Sequence, residues 1–126
     1  MNFSFPKEEK LKSKILIQKL FSEGKSVSKY PLKLVYVSTS LTKDVPVQAA
    51  VSVPKRFFKK AVTRNRIKRL MREAYRLQKP MLVEQLGTTY AFMFIYTGKD
   101  IPDFVLIQNK MQGLLEKFIQ NELITR

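Results

Sequence analysis

Between Lys55 and Arg76 the chain carries ten lysines or arginines and a single acid, Glu73, in an order that few folds can accommodate. On a helix advancing about 100° per residue, Ile67, Leu70, Met71, Ala74 and Leu77 gather on one side and Lys68, Arg69, Arg72 and Arg76 on the other. Arg64 and Arg66 fall near the two borders, and Asn65 lies within the basic face. Such a helix needs a core supplied by the rest of the chain for its apolar stripe, and it leaves a broad cationic surface outside.

A charged outer face is the ordinary solvated side of a packed helix, but such faces mix both signs. From Arg64 to Arg72 five of nine residues are basic and none is acidic. Repulsion at that density favours a polyanionic partner, and the planar arginine fork holds phosphate through paired hydrogen bonds. The whole chain agrees: 24 basic against 10 acidic residues give a formal charge of +14.

The length of 126 residues suits one domain, 1–126, and 44% hydrophobic residues supply a core. With no cysteine and no histidine, disulfide frameworks, thiolate chemistry and the commonest general base and metal ligand are excluded. Met1 to Lys14 is too charged for a signal peptide, and no apolar run approaches the roughly 18 residues of a membrane helix. The expectation is a cytoplasmic protein with no membrane partner.

Along the chain, Leu16/Leu20 and Ile17/Phe21 repeat at helical spacing within Lys10 to Ser22, and Gly24 stops that first helix. Leu32 to Ser38 and Val47 to Val53 alternate as strands, and their proximity predicts an antiparallel hairpin. The basic helix spans Val62 to Gln78, ending before Pro80. Thr88 to Tyr96 is the strongest strand, with Tyr90, Phe92, Phe94 and Tyr96 alternating against Ala91, Met93 and Ile95. A last helix runs from Asp103, its N-cap, to Leu123. The order α-β-β-α-β-α predicts an α/β (α+β) two-layer sandwich, with a central mixed sheet of three or more strands and room for an additional short one. If the basic helix links parallel strands, the general rule gives a right-handed crossover.

The runs Ser52-Val53-Pro54-Lys55-Arg56 and Ala61-Val62-Thr63-Arg64-Asn65-Arg66-Ile67-Lys68-Arg69-Leu70-Met71-Arg72-Glu73-Ala74-Tyr75 resemble the signature of the protein subunit of bacterial ribonuclease P. Gln18 to Gly24 is similar to that family's first helix and closing glycine, and Leu34-Val35-Tyr36 to its first strand. The resemblance covers most of the chain and weakens after Arg76. It implies a ribonucleoprotein that removes the 5′ leader of precursor tRNA, an endonuclease whose catalysis is carried by the RNA subunit and its magnesium ions. The protein then contributes no catalytic residue and no metal ligand, and binds no cofactor of its own.

By the same resemblance Lys55, Arg56, Arg64, Asn65, Arg66, Lys68, Arg69 and Arg72 meet the catalytic RNA, and Ile17, Phe21 and Tyr36 line a cleft for the single-stranded leader. The partners implied are the RNA subunit and precursor tRNA, with no obligate protein partner. The family fold carries a left-handed crossover, against the general rule. Two departures stand out: Ile17 occupies a position where many members have phenylalanine, and Phe57-Phe58-Lys59-Lys60 replaces a shorter, often glycine-containing segment.

Two competing functions fit parts of the pattern. An autonomous metal-dependent nuclease needs convergent carboxylates or histidines, whereas Glu8 and Glu9 point different ways and the other acids are dispersed. A ribosomal-type RNA-binding protein or RNA chaperone, with no role in tRNA processing, shares the same size and charge. DNA binding lacks a paired helix-turn-helix pattern or zinc-ligand spacing.

Overall fold

The computed structural model describes residues 6–124; residues 1–5, the start of the charged N-terminal stretch, and 125–126 at the end of the predicted domain lie outside it. The first helix, α1 (Lys14–Glu23), begins four residues later than its periodicity predicts, because the Ser13 side chain accepts the Leu16 N–H and caps it there. Gly24 ends it by donating its N–H to the Leu20 carbonyl at 2.9 Å. The additional short strand follows as β1 (Lys25–Lys29), where only Val27 is buried and no apolar run announces a strand. Then come β2 (Leu32–Ser38), β3 (Val47–Ser52), α2 (Ala61–Val83), β4 (Tyr90–Tyr96) and α3 (Phe104–Phe118), which continues into a π-helical turn, Ile119–Ile124.

The sheet order is β1-β2-β4-β3. The predicted hairpin of β2 with β3 is therefore incorrect: β4 lies between them, antiparallel to β2 and parallel to β3. Tyr90, Ala91, Phe92, Met93, Phe94 and Tyr96 are all buried, and a strand apolar on both faces gains most from the central position. The antiparallel hairpin is instead β1 with β2.

The handedness follows from Tyr90. Its N–H donates to Pro46, just before β3, while its ring lies in the core beneath the helices. Viewed from the helices with β4 pointing up, an L-residue so placed has β3 on its right. The chain rises along β3, crosses in front through α2 and enters β4 on the left, a left-handed crossover. The general right-handed rule fails here.

Register divides the core. On one face Leu34, Tyr36, Ala49, Tyr90, Phe92 and Phe94 lie under α2 and α3, tied by ring contacts such as Tyr75–Phe94 and Phe92–Phe118, both at 5.1 Å between centroids. This is the two-layer sandwich. On the outer face Val35, Ala91 and Met93 pack with Leu11 and with Leu16, Ile17 and Leu20 of α1. The first helix thus covers part of the sheet opposite α2.

Helix α2 runs past its predicted stop and holds Pro80 inside it. An interior proline removes one hydrogen bond and costs about 3 kcal/mol. The extra turn buries Leu82 completely and packs Met81 on the core, and each such side chain contributes about 1.5 to 3 kcal/mol when fully buried. Burial offsets the loss. The docked face is also rotated from the predicted stripe: Tyr75 is buried against Phe92 and Phe94, while Leu77 is exposed.

Candidate nucleic-acid interface

With Ile67, Met71, Ala74 and Tyr75 sealed in the core, α2 turns Asn65, Arg66 and Arg69 fully outward and keeps Arg64, Lys68, Arg72 and Arg76 half-exposed. Its one acid is consumed within the helix. The Glu73 carboxylate accepts from Arg76 at 2.6 and 3.0 Å, and that bonding holds its carboxyl below the usual carboxylate range. The cations from Arg64 to Arg72 have no compensating carboxylate on their own helix.

One of the predicted RNA contacts carries a structural duty as well. Arg64 donates from one guanidinium nitrogen to the carbonyls of Phe58 and Lys59, both at 2.8 Å, and so pins the segment that precedes its own helix. Arg72 lines a cavity of about 290 Å³ at the β3 edge, together with Lys10, Lys12 and Ala50. Burial, and after it the nearby Arg69 charge, pushes the Arg72 guanidinium down. Lys10 and Lys12, which no motif singled out, line the same cavity as Arg72 because Lys10 and Leu11 pair with Ala49. No local spacing encodes that meeting.

Lys55 and Arg56 are exposed in the turn after β3. They adjoin α2, whose N-cap, Lys60, makes no side-chain cap and whose first turn has no acid. The helix therefore presents its positive dipole end among lysines, an arrangement that attracts anions.

The three residues assigned to a leader cleft are not brought together. Ile17 and Phe21 lie on the outer face with α1, Ile17 half-buried and Phe21 60% exposed. Tyr36 lies on the other face, 3% exposed, packed on Tyr90 and Phe118. The register that pairs Tyr36 with Phe92 and Val35 with Met93 decides this, since neighbours along a strand point to opposite faces. Burial, with the Glu122 charge behind it, pushes the Tyr36 phenol up to about 12. The surface beside α1 is formed instead by Ala50, Met93 and Ile95, with Lys33 and Ser52 flanking Ile95 in register.

Among the described residues no three His, Cys, Asp or Glu side chains are placed to hold a metal ion, and no helix is long and apolar enough to cross a membrane.

The Ribonuclease P family model matches residues 5–119. The ribonuclease P protein component of Porphyromonas gingivalis is 39% identical over 124 residues, covering 94% of this chain and 89% of that protein. That of Chlorobium phaeobacteroides is 36% identical over 133 residues, covering 95% and 91%. Among solved structures, the RNase P protein of Staphylococcus aureus superposes with a TM-score of 0.70 at 22% identity, over 89% of this chain and 96% of that one. The Thermotoga maritima protein gives 0.69 at 23%, over 86% and 96%. The family match, the relatives and the basic crossover helix agree: this chain belongs to the ribonuclease P protein family, as the protein component of the tRNA-processing ribonucleoprotein.

Proposed function

We propose that the α2 face, with Lys55, Arg56, Asn65, Arg66, Lys68, Arg69 and Arg72, docks on the catalytic RNA subunit, and that the 5′ leader of precursor tRNA lies along the outer sheet face beside α1. The observation that carries this reading is the uncompensated cationic face of a helix whose other side is sealed in the core. Phe21 supports the second part, since an exposed ring beside a shallow sheet surface can stack an unpaired base while cations track the backbone. Tyr36 has no place in that groove. Arg64 serves the interface chiefly by holding the turn before α2.

In this division of labour the RNA subunit and its magnesium ions perform hydrolysis, and the protein supplies charge neutralisation and substrate grip in the cytoplasm without an obligate protein partner. Cations fixed on α2 replace diffuse counterions around packed phosphates, so less magnesium is needed.

The test is precursor cleavage by the cognate RNA subunit, with and without protein, across a magnesium titration. The protein lowers the magnesium requirement, and monovalent salt shrinks the benefit. Phe21→Ala weakens binding of leader-bearing precursor more than binding of mature tRNA. An unrelated basic RNA chaperone that matches the protein in this assay would favour the chaperone reading, and equal losses for precursor and product would remove Phe21 from the leader path.

A further inference from the structure

The turn between β3 and α2 builds a second aromatic site, away from α1. Phe57 is 43% exposed, whereas its neighbour Phe58 is buried against Tyr96. Phe58 and the Arg64 hydrogen bonds fix the backbone on the C-terminal side of Phe57. An exposed ring on an anchored turn is thereby held in place. Two cations approach it, the Arg56 guanidinium at 5.2 Å and the Lys99 ammonium at 5.5 Å from the ring centroid. Beside it opens a cavity of about 580 Å³, lined in part by Arg56, Lys59, Lys60, Thr63 and Lys99, with Asp100 as its one acid. Thr63 places that cavity at the uncapped N-terminus of α2.

We propose that Phe57 is a stacking platform for one unpaired base of the catalytic RNA subunit, whose adjoining phosphate is held by Lys59, Lys60 and the first turn of α2. This rests on the reading that α2 docks on that RNA. The ligand follows from complementarity: a flat π-face approached by Arg56 and Lys99, beside a cavity lined by Lys59 and Lys60, suits an aromatic base joined to a phosphate. The resting cations do not block it. A cation–π contact at an exposed site is weaker than the stacking of a base on the same ring. A displaced Arg56 or Lys99 can then move from the ring to the phosphate. The RNA subunit, and not the leader, is the occupant because the cavity is continuous with the N-terminus of α2.

The experiment measures affinity for the cognate RNA subunit in Phe57→Ala, Phe57→Leu and Phe57→Tyr, with denaturation midpoints as controls. Phe57→Ala and Phe57→Leu are expected to weaken binding about five- to hundredfold, the range that base stacking spans, while Phe57→Tyr stays within about twofold. Leucine is the deciding variant because it keeps the apolar bulk and removes the π-face. Wild-type affinity in Phe57→Leu overturns the proposal. So does a loss confined to leader-bearing precursor bound by the assembled enzyme, which would transfer the site to the leader. Arg69→Ala is measured alongside: if it too binds as wild type, the α2 reading fails, whereas weakened Arg69→Ala with unchanged Phe57→Leu defeats only the stacking site.

Discussion

The ring of Tyr36 stands edge-on to that of Phe118, with centroids 4.8 Å apart and planes at 88°. That contact joins β2 to the end of α3, across the sheet from α1. Tyr36→Ala therefore opens the core, and large aromatic truncations of this kind cost about 3 to 5 kcal/mol. Chemical denaturation should show that loss, and at temperatures where the variant stays folded, precursor and mature tRNA should be bound in the wild-type ratio. A selective loss of precursor binding would return Tyr36 to the leader path.

Arg69 and Arg64 should separate binding from folding. Arg69 is exposed on the basic face, so Arg69→Ala should weaken RNA-subunit binding by about 1.5 to 3 kcal/mol, as for a lost charge-assisted hydrogen bond, with an unchanged melting temperature. Arg64→Ala releases the Phe58 and Lys59 carbonyls and should lower both affinity and melting temperature. Arg72→Ala should also weaken binding, since Arg72 adjoins Lys10 and Lys12 at the β3 edge. Calorimetry on each variant, paired with filter binding, checks the separation.

Gly24 and Gly87 make a controlled pair. A Cβ at Gly24 would overlap the Leu20 carbonyl oxygen and sit 3.0 Å from Val35 Cγ1, whereas one at Gly87 meets nothing within 4 Å. Gly24→Ala must shift the end of α1 against backbone and should destabilise by about 1 to 3 kcal/mol. Gly87→Ala should be neutral or stabilise by up to about 1 kcal/mol through the unfolded state. Urea midpoints measured side by side decide between these outcomes.

Stability should fall at both ends of the pH scale. Glu73 titrates below its unfolded value because Arg76 bonds the carboxylate, so its contribution is present above about pH 4.3 and is lost as pH falls through the lower folded value. Glu73→Gln should flatten that acid limb. Burial raises the phenols of Tyr36, to about 12, and of Tyr75 and Tyr96. The folded state retains protons that the unfolded chain releases, so stability is full below about pH 10 and declines above it. Tyr36→Phe should make the alkaline decline shallower in a stability-against-pH series.

Residues close in sequence disclosed the local elements and the charge. The period of Ile67, Leu70, Met71 and Ala74 marks α2 and its cationic side, although packing turned the buried face toward Tyr75 and left Leu77 exposed, and the Arg64-Asn65-Arg66 run carries the family resemblance. Gly24 and Asp103 mark helix ends because capping is a matter of a few adjacent residues. Tertiary structure decided what depends on long-range pairing. The insertion of β4 between β2 and β3 removed the expected hairpin, and its parallel pairing with β3 made α2 a left-handed crossover. One register then sent Tyr36 into the core and left Val35 facing α1. Alternation reveals that neighbouring side chains oppose each other, but only the partner strand and the packed helices determine which face is which. The same holds for Lys10, Lys12 and Arg72, and for Phe57 with Lys99: each group assembles from distant segments, and backbone pairing rather than spacing brings it together.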